Sequence, residues 1–306
     1  MTRLTEAPTR RSRITTTARS GRAAEINRLL PTPLRALVLA ILLLVVGAPL
    51  LYMFLASINS DLAVAAGEFL PRDPDLGNYS RIWSTTDLGP GLLNSVLVAG
   101  VVAVVCALVS VVTAYVLVRV AFRGRVAILR GLLALQTIPG TLMLLPVFVL
   151  FASASTLLGV PVIGTRWALF LTYLTFGLPF STWVMVTYLR GLPRELDEAA
   201  RVDGASSWHV LTRIIVPLSW PGLTVSAIFA FLLGWNDVLF ASVLTNPETR
   251  TAAVSLQIFG ATQEGGAIPV YGQLMAAALV CAVPVVTLYL FFQRYLVSGL
   301  TTGGVK

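Results

Sequence analysis

Six long apolar stretches constrain this chain more than any other feature. They lie near 36–58, 94–118, 131–151, 167–189, 221–244 and 272–293. Each holds about 20 residues, the length a helix needs to cross the hydrocarbon of a bilayer. Period-two alternation is absent, which argues against a β-barrel. Composition agrees: of 306 residues, 56% are hydrophobic and 12% charged, about half the roughly 25% charged share of a soluble domain. A water-soluble enzyme and a disordered chain are both excluded. The expected fold is all-α integral membrane, with six transmembrane helices in residues 34–306 behind an arginine-rich tail at 1–33. The first stretch does not read as a cleaved signal sequence, because it starts late, is too long and lacks a small-residue cleavage site.

Basic residues set the orientation. Of the 22 arginines and lysines, all but Arg72, Arg81, Arg166 and Arg250 fall in the N-terminal tail, the loops at 119–130 and 190–217, or the C-terminal end. Loops rich in Arg and Lys stay in the cytoplasm. Both termini are therefore expected inside, in a multi-pass protein of a bacterial inner (cytoplasmic) membrane. The net charge of +8 is then a topology signal, and no nucleic-acid partner is expected. The arginine tail can also meet anionic lipid head groups. The opposite loops are acidic, with Asp61, Glu68, Asp73, Asp75 and Asp87 in the first. The last of them, 245–271, is long enough to reach a partner or dip back into a pore. Two spans look broken, the third at Pro139-Gly140 and Pro146 and the fourth at Gly177 and Pro179. Prolines there kink a helix and free carbonyls that must face protein or water.

Reactive side chains are scarce. Cys106 and Cys281 lie in apolar runs, His209 is the single histidine, and the only lysine is Lys306 at the end. These give no disulfide framework and no metal site. A P-loop needs a lysine after its glycines, so this chain does not bind ATP that way, and no cofactor is expected in it.

The loop at 190–217 is the most legible segment. Pro193 suits a first helical turn, and Glu195, Asp197 and Glu198 favour the positive end of that helix. Leu196, Ala199 and Ala200 form a small apolar stripe. Gly204 is placed to end the helix in a left-handed conformation. Ser206 or Ser207 then caps a second helix, with Trp208, Leu211 and Ile215 on one face and Pro217 at its end. With no nucleophile–base pair and no ligand cluster, the loop reads as a docking element.

The spacing Glu198-Ala199-Ala200, then Gly204, then Ile214-x-Val216-Pro217 resembles the EAA loop of ABC importer permeases; Val216 replaces the family's usual leucine. Asp203-Gly204-Ala205 also fits. Trp235-Asn236-Asp237 and the ending from Gln293 to Lys306 are similar to carbohydrate-uptake permeases, the ending most to the maltose-importer (MalG) type. The resemblance covers about 34–306. It implies a type I ABC importer permease fold, with a second homologous permease subunit, two ABC ATPase subunits and an extracytoplasmic sugar-binding protein as partners. It further implies that Glu198, Ala199, Ala200, Asp203, Gly204 and Pro217 couple to the ATPase. Gly303, Gly304 and Val305 would belong to a tail that reaches the ATPase dimer. ATP hydrolysis would reside in the partner subunits, so the chain itself is not expected to be an enzyme.

Trp235, Asn236 and Asp237 are candidates for the substrate pathway, since an ionisable residue inside a membrane helix marks function by default. Packing is the competing role, for the tryptophan above all. Gln136, Thr137 and Asn94 are weaker polar candidates. Two other classes compete: an ion-coupled secondary transporter, which leaves the EAA loop unexplained, and an ABC permease for a non-sugar substrate.

Overall fold

The computed structural model describes residues 32–72, 74–264 and 270–302, with side chains described from 33 to 72, 74 to 261 and 270 to 295. Among the described residues every regular element is helical. In chain order they are α1 (Thr32–Ser57), α2 (Asp61–Ala65), α3 (Asn78–Thr85) and α4 (Leu88–Arg119). Then come α5 (Arg125–Leu135), α6 (Gly140–Leu158), α7 (Arg166–Arg190) and α8 (Glu195–Val202). The continuous helix α9 (Ser207–Leu218) follows, with α10 (Trp220–Asn236) and α11 (Leu239–Leu244). Last are α12 (Ala252–Glu264) and α13 (Tyr271–Thr302).

Five helices are long and apolar enough to cross a membrane: Pro33–Ser57, Leu88–Arg119, Gly140–Leu158, Arg166–Arg190 and Tyr271–Tyr295. The sixth span is bent. Ser207–Leu218 meets Trp220–Asn236 at 76°, and we assign the crossing to α10 continued by α11, because α9 exposes His209 and Arg213.

The chain divides into two units, residues 1–52 and 53–306. In the first, α1 exposes Leu39, Leu43, Leu44 and Val46, the all-round apolar surface of a helix solvated by lipid. In the second, α4 and α7 pack along each other and α10 packs on both. The largest core cluster draws Val111, Ala114 and Val118 from α4, Met185 and Leu189 from α7, and Val210, Leu211 and Ile215 from α9. We call this the basic end, after the arginine-rich loops beside it.

The opposite end is tied by polar side chains. The Asn78 amide donates to the carbonyls of Ser57 and Asn59. Asp61 Oδ1 accepts the backbone N–H groups of Gly272 (2.8 Å) and Gln273 (3.2 Å), which caps the start of α13 from a distant segment. Only glycine fits at 272, since a Cβ there would stand 2.7 Å from the Asn59 carbonyl oxygen. Nearby, the Arg81 guanidinium bonds Asp75 and holds its carboxyl below the usual carboxylate range.

Three expectations need correction. The third span is not 131–151. Pro139 lacks an N–H, so one helix ends at Leu135 and the next starts at Gly140, running to Leu158. The fourth span is not broken: α7 runs through Gly177 and Pro179 as one helix, because a single proline removes only one bond of the ladder. The break falls instead in the fifth span, at Asp237 and Val238. The second helix of the loop ends at Leu218, one residue past the expected Pro217, after a π-turn at Leu211–Ile215.

Candidate functional site

The loop between α7 and α10 is built as two short helices. In α8 the acidic residues Glu195, Asp197 and Glu198 occupy the first turn and Arg201 the last, matching the helix dipole at both ends. Gly204 has φ +82°. Its N–H donates to the Arg201 carbonyl (3.0 Å) and the Ala205 N–H to that of Ala200 (2.9 Å), the paired closure that a left-handed residue permits. Ser206 then caps α9 by accepting the His209 N–H at 3.2 Å.

Leu196, Glu198, Ala199, Asp203, Gly204 and Pro217 are exposed, while Ala200 is half-buried. Val202 is 88% exposed and Trp208 67%. Trp208 therefore leaves the face it was expected to share with Leu211 and Ile215, which turn into the core. The exposed surface of the loop is thus apolar at Leu196, Ala199, Val202 and Trp208, flanked by carboxylates.

Beneath it lies a contact that sequence reasoning missed. Asp197 is the only buried residue of α8. Its Oδ2 stands 2.6 Å from Nε of Arg119, the last residue of α4, with both side chains almost fully buried. The Nε–H is not aligned on the carboxylate, so the contact is a charge pair more than a hydrogen bond. Arg119 also donates to the Leu192 and Pro193 carbonyls, at 3.1 and 3.4 Å. Arg194 donates back to the Val118 carbonyl at 3.3 Å. Arg119 had been counted only as a topology charge and Asp197 only as a dipole charge. Pairing between them across two helices leaves no local signature.

A second feature lies part-way along the spans. A groove of about 570 Å³ is lined by Gln136, Phe176, Phe180, Phe229, Asn236 and Asp237, among others. Both helix breaks open onto it, since Gln136 follows α5 and Asn236 ends α10. The Gln136 amide donates to the Phe176 carbonyl at 2.8 Å. Phe180 and Phe229 meet edge to face, 5.1 Å between centroids.

The three residues picked from the fifth span separate here. Asn236 is exposed in the groove. Asp237 is turned to structure: Oδ2 accepts from the Tyr173 hydroxyl (2.8 Å) and the Ala241 N–H (3.0 Å), so it caps α11 and anchors α7. Trp235 is buried and stacked on Phe231, 5.3 Å between centroids. Thr137, in the turn after α5, donates to the Ala134 carbonyl. Asn94 donates to the Glu248 and Arg250 carbonyls and accepts from Arg166, an internal hub. Among the described residues no three His, Cys, Asp or Glu side chains gather to hold a metal. Gly303, Gly304 and Val305 lie outside the described residues.

Residues 107–302 match the family described as binding-protein-dependent transport system inner membrane component. The chain belongs to that family. This permease is 33% identical to the trehalose/maltose transport system permease protein MalG of Thermococcus litoralis, over 89% of its own length and 99% of that protein. It is 34% identical to the sulfoquinovosyl glycerol transport system permease protein SmoH of Agrobacterium fabrum, over 90% of its length and 94% of the relative. Among solved structures, a chain of a bacterial ABC transporter involved in the import of the acidic polysaccharide alginate superposes with a TM-score of 0.68 at 23% identity, covering 91% of this permease and 98% of that chain. The likeness extends the permease fold to nearly the whole chain.

Proposed function

We propose that this permease is one of two related membrane subunits of an ATP-driven importer of a carbohydrate, a glycoside or oligosaccharide delivered by an extracytoplasmic binding protein. The observation that supports this most is similarity over about nine-tenths of the chain to permeases named for trehalose, maltose and sulfoquinovosyl glycerol transport, in a chain whose basic end exposes Leu196, Ala199, Val202 and Trp208. The basic end is cytoplasmic, by its arginines, and both termini lie there, in the inner membrane. The exposed face of α8 enters a cleft on an ATPase subunit, with Glu198, Ala199, Ala200, Asp203 and Gly204 at the contact and Pro217 closing the loop. The tail with Gly303, Gly304 and Val305 reaches the same ATPase dimer. Hydrolysis belongs to those partners.

Sugar passes along the groove. Discontinuous helices at mid-membrane are where transporters hold polar substrates, because the broken backbone must face a cavity. Exposed Phe229, beside half-buried Phe176 and Phe180, offers a stacking face, and Asn236 offers an amide to hydroxyl groups. Asn236, not Trp235 or Asp237, is the pathway residue of the triplet.

The test is uptake by proteoliposomes holding the complete transporter, with labelled maltose and trehalose as probes. Uptake that requires ATP and the binding protein and ignores uncouplers supports the proposal. Uptake driven by an ion gradient without ATP overturns it in favour of a secondary transporter. ATP-dependent uptake of a non-sugar in place of every glycoside overturns the substrate class alone.

A further inference from the structure

We infer that the Arg119–Asp197 pair is the joint through which movement of the docking helix enters the membrane, with Arg119 a positioning residue that makes α8 and α4 move as one body. This rests on the docking role of α8 proposed above and names the part of the bundle that the docking helix drives.

Four observations carry it. First, α8 has one buried side chain, and it is a carboxylate; the apolar residues of the helix other than half-buried Ala200 are exposed. A helix held to a bundle by an apolar anchor can slide and roll, since such contacts have no direction. A charge pair in a water-poor setting weakens with distance, and the bonds from Arg119 to the Leu192 and Pro193 carbonyls add direction. Second, Arg119 is the last residue of a 32-residue helix, so a displacement at this point acts on the full length of α4. Third, the attachment is multiple and runs both ways. Arg119 holds the carboxylate of Asp197 and the carbonyls of Leu192 and Pro193, while Arg194 holds the Val118 carbonyl. Fourth, α4 packs on both α7 and α10, the helices that line the groove. The chain of contacts from docking face to groove is therefore short and made of packed helices.

A purely structural role makes a different prediction. Replacing both members of a buried ion pair by apolar side chains of similar size is often neutral for stability, whereas removing one strands the other. The double variant Arg119→Met/Asp197→Leu should therefore fold, insert and co-purify with the ATPase subunits like the parent. The readout is sugar imported per ATP hydrolysed, in the complete transporter with maltose and trehalose as probes. We expect that ratio to fall at least about fivefold, the low end of ordinary coupling between sites, because an apolar contact seats the helix without fixing its direction. A double variant that assembles and keeps the parental ratio overturns the inference.

A second measurement spares the pair. Spin labels at Val116→Cys on α4 and Arg201→Cys on α8, with Cys106 and Cys281 replaced, report the distance between the two helices. It should stay the same in nucleotide-free and ATP-bound transporter; a change between those states overturns the inference even where the double variant misfolds. Leu196→Arg, on the outer face of α8, separates the two layers of argument. If that variant still binds and drives the ATPase, the docking role itself fails. If it loses the ATPase while the double variant couples normally, docking stands and the joint does not.

Discussion

The basic end and the groove solve opposite problems with the same helices. At the basic end α4, α7 and α9 bring Met185, Leu189, Val210 and Ile215 to complete burial, and a buried charge pair locks the loop to the bundle. At the groove, two backbones are broken, Phe229 is 45% exposed, and Asn236 faces out. One region has fixed geometry and the other leaves groups unfilled. On the proposed function the first would receive force and must not yield, while the second would pass a solute and needs room to rearrange; the split between closed and open packing suits that division.

The sharpest way to break this comparison is to truncate one side chain in each region. Ile215→Ala should cost about 2–5 kcal/mol, as buried large-to-small changes do, read as a lower unfolding midpoint in detergent. Phe229→Ala should cost less than about 1 kcal/mol, because half its ring is already outside the core, yet reduce sugar uptake. Equal losses of stability at the two sites would erase the distinction.

Next in size is the boundary between structure and pathway inside one triplet. Tyr173→Phe removes the hydroxyl that donates to Asp237 and should destabilise by about 1–3 kcal/mol, the range for a bond to a carboxylate. Asn236→Ala removes a group bonded to nothing else described in the chain, so stability should hold while uptake falls. A thiol at 236 should also react with a water-soluble reagent faster than one at 235. The reverse order of reactivity would exchange their roles.

Smaller still is the left-handed turn after α8. Gly204→Ala meets no atom within 4 Å, so its cost is the backbone penalty alone, about 1 kcal/mol. ATPase stimulation should drop further with Gly204→Leu, which adds bulk to the exposed surface; unchanged transport by that variant at equal expression would remove the turn from the contact.

The smallest effect belongs to pH. Asp75 has a folded-state pKa below its ordinary value of 3.8. Its contribution is complete above that value and is lost as pH falls through the lower folded value. The Asp75–Arg81 pair is well exposed, so solvent screens it to at most about 1 kcal/mol. Acid titration of unfolding below about pH 4 should lose this small component in Asp75→Asn and keep the rest.

Most of the spans, the two short helices of the 190–217 loop and the glycine stop between them were legible because each is local. A run of apolar residues, a dipole-matched turn and a Gly after a short helix declare themselves within a few positions. The break in the fifth span was not legible, since Asn236 and Asp237 looked like polar residues inside a helix until Asp237 proved to cap the next one. Prolines misled in the other direction: Pro139 did break a helix, and Pro179 did not, because the packing of α7 against α4 outweighs one missing bond. The aromatic lining of the groove was missed for a related reason. Phe176, Phe180 and Phe229 look like any span phenylalanines, and which face they share depends on how α7 and α10 cross.

One latch at the far end bears on how the chain is made. Asp61 and Gly272 are 211 positions apart, so the clasp cannot close until the chain has been made past residue 272. Until then water must serve the Asp61 carboxylate, and the starting turn of α13 lacks this cap. It is α13 that ties the segment at Asp61 into the bundle, and a nascent chain stopped before residue 271 would lack this clasp altogether.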